Sequence, residues 1–229
     1  QFLRDQSGSS RLSLTQFNLS VARSLEQWRL GVQLGFAQRS IDYSDLIFID
    51  GGESISTETK NYTDLGMGIN RVFSLNSSDL NMGYSVFHMN NPNRSFISAE
   101  DKLAIHHQFS SKLDYDLNEQ WVLSPSIHFT SQQNQRAWTF GSQISFDISD
   151  YYYKSIQLEA GAHYRFGDAF SCLMGVQYEQ SYVAFSYDWN TSDLVPASNY
   201  LGAWELSFSH IIQSKVLSKP KHKTCPAFL

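Results

Sequence analysis

Apolar and polar residues alternate with a period of two along nearly the whole chain, a pattern that puts one set of side chains on each face of an extended strand. Trp28, Leu30, Val32, Leu34 and Phe36 are large and apolar, while Arg29, Gly31, Gln33, Gly35 and Ala37 between them are polar or small. Leu65, Met67 and Ile69 alternate in the same way with Asp64, Gly66, Gly68 and Asn70, and Leu80, Met82, Tyr84 and Val86 with Asn81, Gly83 and Ser85. In the second half, Trp138, Phe140, Ile144, Phe146 and Ile148 oppose Thr139, Gly141, Gln143, Ser145 and Asp147. Ile156, Leu158, Ala160, Ala162 and Tyr164 then oppose Gln157, Glu159, Gly161, His163 and Arg165. Three further runs follow, over 170–178, 183–189 and 204–208, and weaker ones lie at 15–23, 103–113 and 121–130. The pattern predicts about eleven strands, most of them close to the nine to eleven residues with which a tilted strand crosses a bilayer.

The spacing between runs alternates too. Short turns at Glu26, 76–78, 116–119, 149–154 and Gln180 would lie on one side, and the long segments 41–60, 90–101 and 190–202 on the other, with the tight turn at Gly167 and Asp168 as one exception. Outer-membrane barrels pair short periplasmic turns with longer outer loops. Trp28, Trp121, Trp138, Trp189 and Trp204 sit at or beside strand ends, where a membrane barrel carries its aromatic girdles. A soluble β-sandwich shows the same alternation, so girdle placement and strand length carry the membrane assignment. The expectation is an all-β chain, an antiparallel transmembrane β-barrel over 1–212 followed by an extended tail over 213–229. An odd strand count and an opening that reads as a loop over 4–11 predict that further strands precede Gln1.

Composition supports this picture. Aromatics make up 14% of the 229 residues and charged residues 17%, which suits strands and turns. The net charge of -5 has no basic face behind it, so no nucleic-acid partner is expected. No window approaches the ~20 apolar residues of a transmembrane helix, and residues 1–10 do not read as a signal peptide. Cys172 and Cys225 are the two cysteines, too few for a disulfide framework.

The run YRFGDAFSCLMGVQ at 164–177, followed by VAFSYDWNTSDL at 183–194, resembles the PorP/SprF family of outer-membrane proteins from the type IX secretion system of the Bacteroidota. LGVQLGFAQRSIDYSDL at 30–46 is similar to a second block of that family, and CPAF at 225–228 to its usual ending. Ala203-Trp204-Glu205 stands where the family has a histidine-glutamate pair, and the family's N-terminal strands are missing. The resemblance implies an outer-membrane barrel of about fourteen strands that helps export surface proteins, adhesins among them, carrying a C-terminal sorting domain, or anchors them at the surface. It also implies contact with a periplasmic ring lipoprotein of the secretion machine, besides outer-membrane lipid.

The thin faces supply the candidate site, a ladder of polar residues pointing into the lumen: Arg29, Gln33, Asp64, Glu159, His163, Arg165, Asp188 and Glu205, with Asn70, Gln157 and Gln177. Arg165, Asp188 and Glu205 are expected near the outer mouth, where they could pair or line an entry; filling of the interior by ion pairs and hydrogen bonds is the preferred reading of the set. Gly167 and Asp168 form the turn of the family motif. No catalytic residue, metal site or cofactor is expected: His106 and His107 are adjacent and face opposite ways, His128 and His163 are isolated, and HExxH, GxSxG and CxxC patterns are absent. Sequons at Asn18, Asn61, Asn76, Asn93 and Asn190 are discounted as chance matches in serine- and asparagine-rich strands. A diffusion porin lined by the polar ladder is the alternative function. The lysine-bearing tail is read either as a periplasmic docking peptide or as a solvated end, with Cys225 as a free thiol.

Overall fold

The structure is a computed structural model that describes residues 1–7, 12–42, 58–96, 100–148, 155–192 and 202–212. Among them are twelve strands and no helix: β1 (Phe2–Ser7), β2 (Leu12–Leu25), β3 (Trp28–Ile41), β4 (Glu58–Leu75), β5 (Ser78–Phe87), β6 (His106–Asp116), β7 (Trp121–Gln132), β8 (Gln135–Asp147), β9 (Ile156–Arg165), β10 (Ala169–Tyr178), β11 (Ser181–Asn190) and β12 (Trp204–His210). They form one sheet in sequence order, each strand antiparallel to the next. Up-and-down order needs only local hairpins and is the connectivity of transmembrane barrels. Among the described residues β1 and β12 do not pair with each other.

Several boundaries differ from the sequence expectation. Residues 4–7, read as part of a loop over 4–11, belong to β1, because pairing with β2 stabilises a segment whose Arg4, Asp5 and Gln6 hide the apolar alternation. The first long loop is shorter than 41–60, since β4 already begins at Glu58 and runs for 18 residues. Residues 103–105 precede β6 instead of belonging to it. Gln133 and Asn134 make a second tight turn at the end of the sheet that carries Gly167. The expected turn at 149–154 and the tail at 213–229, with Cys225, lie outside the described residues, as does most of the segment 190–202.

Register carries the alternation across the strands and gives the sheet two chemically distinct faces. On one, Phe2, Phe17 and Phe36 stand side by side on β1–β3, Leu19, Leu34 and Leu65 on β2–β4, and Phe140, Tyr164, Phe170 and Trp189 on β8–β11. These side chains stay open: Val32 is 61% exposed, Met174 72% and Phe208 71%. A sandwich would cover such a face with a second sheet; among the described residues there is one sheet, and an open apolar face of this extent suits contact with lipid. From Trp28 to Phe36 the apolar stretch of β3 runs roughly 26 Å at about 3.3 Å per residue, close to the ~25 Å band of membrane barrels. Aromatic pairs mark its two ends, Trp121 with Phe146 at 4.5 Å and Phe129 with Trp138 at 4.4 Å between ring centres. The opposite face holds the buried polar residues, Asn18, Asp64, Ser124, Ser126 and Ser145. Compared with a soluble protein the fold is inside out, polar within and apolar without.

Candidate functional site

Strand pairing places the whole predicted ladder on this inner face. Arg29 pairs with Asn70, Gln33 with Gly66, and Asp64 with Gly35. Glu159, His163 and Arg165 pair with Gly175, Ser171 and Ala169, Asp188 with Ser171, and Glu205 with Ser186. Glycines opposite large side chains make the room these need. A Cβ at Gly141 would lie 2.0 Å from Cδ2 of His163, and one at Gly175 would lie 2.4 Å from the Tyr182 hydroxyl.

The residues do not converge on one point, and they fall into separate groups along the wall. At the β3–β4 side, Asp64 is only 3% exposed, and its Oδ2 meets Nδ1 of His88 at 2.9 Å. Its Oδ1 has no hydrogen-bond partner among the described residues. His88, in the left-handed region at φ 60°, opens the segment that joins β5 to β6. The segment was expected to be an exposed loop over 90–101, but it folds back against the sheet. Asn90 donates to the carbonyl of Thr63 and accepts from the amide of Leu65. Arg39 Nη1 donates to the carbonyl of Arg94 at 3.0 Å, and its guanidinium lies 5.2 Å over the Phe96 ring. Arg94 and Asp101 pair at 3.0 Å, Asn93 and Lys102 form a bridge, and Gln132 of β7 donates to the carbonyl of Ala104. Because Arg39, Asp64 and Gln132 all belong to the inner face, the described parts of the segment, 88–96 and 100–105, lie against that face, the first tied to β3 and β4 and the second to β7.

At the β9–β11 side, Arg165 Nη1 pairs with Asp168 at 2.7 Å and its Nη2 with Asp188 at 3.8 Å. Glu205, expected to join them, accepts instead from the Ser207 hydroxyl, as its register partner is Ser186, not Asp188. Gly167 takes φ 73°, a conformation open to glycine, which explains its place in the motif turn. Toward the other end, the Tyr182 hydroxyl donates to Glu159 Oε2 at 2.5 Å, Ser124 donates to Asp114 at 2.6 Å, and Lys112 pairs with Asp114 at 2.9 Å. These groups line a polar hollow of about 320 Å³. Gln33 accepts from Ser20 at 3.1 Å. The sequence reading missed His88, Arg39, Lys112, Asp114 and Tyr182. For the three strand residues of the hollow the available signal was a glycine or serine in the neighbouring strand; nothing local marked His88.

His107 turns to the outer face, where its Nδ1 meets the Tyr84 hydroxyl at 2.8 Å, while His106 sits with its ring 6.3 Å from that of His88. Among the described residues no three His, Cys, Asp or Glu side chains gather as metal ligands would. The arrangement is a row of ion pairs and hydrogen bonds along a wall, with Asp64 Oδ1 and Asn70 Oδ1 left without a partner among the described residues, and it suits the shaping of a lumen.

No curated protein matches the chain. The family model described as type IX secretion system membrane protein PorP/SprF, a family of outer-membrane secretion components and not of enzymes, matches residues 1–210. With all twelve strands inside that match, the chain belongs to the PorP/SprF family.

Proposed function

We propose that the chain is a non-enzymatic outer-membrane component that helps export proteins with a C-terminal sorting domain, adhesins among them, or holds them at the cell surface. Beyond family membership, the observation that favours this over a diffusion channel is the described part of the segment joining β5 to β6, 88–96 and 100–105. Residues from β3, β4 and β7 tie it across the inner face, where an open pore needs a clear passage. The second reading, a general diffusion porin, draws on the polar inner wall.

In the proposed orientation, the end with the connections 42–57, 88–105 and 191–203 faces outward, and the tail over 213–229 enters the periplasm as a docking peptide for a ring lipoprotein of the secretion machine. Segments 42–57 and 191–203 are the proposed contacts for the exported partner, because long connections on a rigid scaffold commonly carry recognition. The polar ladder from Arg29 to Glu205 fills and shapes the lumen. Affinity purification of the tagged chain from native outer membrane, with mass spectrometry of what accompanies it, tests the reading. Recovery of a surface adhesin or a ring lipoprotein is expected; recovery of the barrel alone, together with steady conductance in planar bilayers, would establish the porin instead. Removing 43–57 is expected to abolish adhesin display, and unchanged display would count against that contact.

A further inference from the structure

On the lipid-facing side, where the apolar band gives way to polar residues, β2, β3 and β4 form a hollow of about 630 Å³. Its lining is ordered in two rows by the register. Phe17 pairs with Phe36, which pairs with Thr63; one step nearer the end with the long connections, Thr15 pairs with Gln38, which pairs with Asn61. Phe17 and Phe36 are 52% and 53% exposed, so their rings are open floor. Each polar row member points outward, away from the inner wall, and the amides of Gln38 and Asn61 have no hydrogen-bond partner among the described residues. At this edge of the apolar band, exposed amides without a protein partner are free to bond to a lipid headgroup.

None of the eight lining residues, Ala37 and Tyr62 included, is charged. The nearest charge in the same row is Arg4, across Thr15 on β1 and outside the lining, while Arg39 and Lys60 pair with each other on the inner face. The lining itself thus holds no charge for a phosphate, Arg4 standing beside it, and it fits a neutral polyhydroxylated group: two apolar rings for the C–H face of a sugar and two amides with two hydroxyls for its hydroxyls. We propose that this surface binds the sugar headgroup of a membrane glycolipid, with the acyl chains running down past Leu19, Leu34 and Leu65. The site rests on the membrane reading of the outer face, and the proposed orientation puts it in the outer leaflet.

Native mass spectrometry of the detergent-solubilised chain, offered equal amounts of monoglucosyl diacylglycerol and phosphatidylethanolamine with identical acyl chains, tests it. The wild-type chain is expected to retain the glycolipid about fivefold to tenfold over the phospholipid, the size of two modest hydrogen bonds. Gln38→Ala with Asn61→Ala is expected to bring the two lipids to parity and leave phospholipid retention unchanged. Phe36→Leu, which keeps the apolar volume, should lose part of the preference. Heat-modifiable migration on gels verifies that each variant is folded. Parity in the wild type, or preference for the phospholipid, overturns the site while leaving the barrel intact. Failure of the folded chain to enter membranes at all would overturn the membrane reading as well, a distinct outcome.

Discussion

The contact of Tyr182 with Glu159 depends on an absent side chain, and a double-mutant cycle can show it. The hydroxyl lies 2.5 Å from Glu159 Oε2, and the ring crosses Gly175, whose added Cβ would meet the hydroxyl at 2.4 Å and two ring carbons at 2.8 Å. A hydrogen bond to a charged acceptor contributes about 1.5–3 kcal/mol net, and partial exposure of both groups puts this one near the lower figure, about 1.5 kcal/mol for Tyr182→Phe. Gly175→Ala has to push the ring aside, which loses the same bond and adds roughly 1 kcal/mol of packing strain, about 2.5 kcal/mol in all. The two effects share one bond. The double variant is therefore expected to cost about 2.5 kcal/mol, roughly 1.5 kcal/mol less than the sum. Urea unfolding of the chain refolded into phospholipid vesicles, followed by tryptophan fluorescence, measures all three values. Additivity within about 0.5 kcal/mol would refute the argument that Gly175 exists to seat Tyr182 on Glu159.

Other perturbations separate neighbouring ideas. Gly167→Ala meets no atom within 4 Å, so its cost is the left-handed backbone alone, about 1 kcal/mol by the same unfolding assay, and Gly167→Asn should cost less; equal large losses would point to a packing role. Arg165→Ala is expected to cost under about 1 kcal/mol, since Arg165 is 46% exposed and its partners are similarly open; a loss above 2 kcal/mol would mean that the pairs are buried in the membrane-bound protein. Replacing 91–103 with a short glycine-serine link should raise planar-bilayer conductance several-fold, and unchanged conductance would show that the segment does not obstruct the passage.

Periodicity alone revealed eleven of the twelve strands because a strand between lipid and lumen has two opposite solvents, and each residue has to suit one of them. The strand it missed, β1, is polar along most of its length and is defined by its pairing with β2, a long-range property that no local window contains. Turn positions were legible only roughly: Glu26, Gln133 and Glu179 adopt positive φ where tight hairpins usually carry glycine or asparagine, so the common hairpin signals are missing. The inner face was legible as a set of residues but not as a set of contacts. Alternation fixes which way Asp64, Glu159 and Arg165 point; register decides whom they meet, and it sets Glu205 level with Ser186, two residues from Asp188 and four from Asn190, the residue level with Arg165. The partner of Asp64 lay beyond any strand-based reasoning. His88 reaches it by a left-handed turn just after β5, and the fold-back of 88–105 follows from contacts with Arg39 and Gln132, residues 49 and 44 positions from the His88 they help to hold in place. Function in this chain is carried at that level. Twelve strands make a wall common to many barrels; in the proposed reading, the groups tied across it distinguish an anchor from a channel.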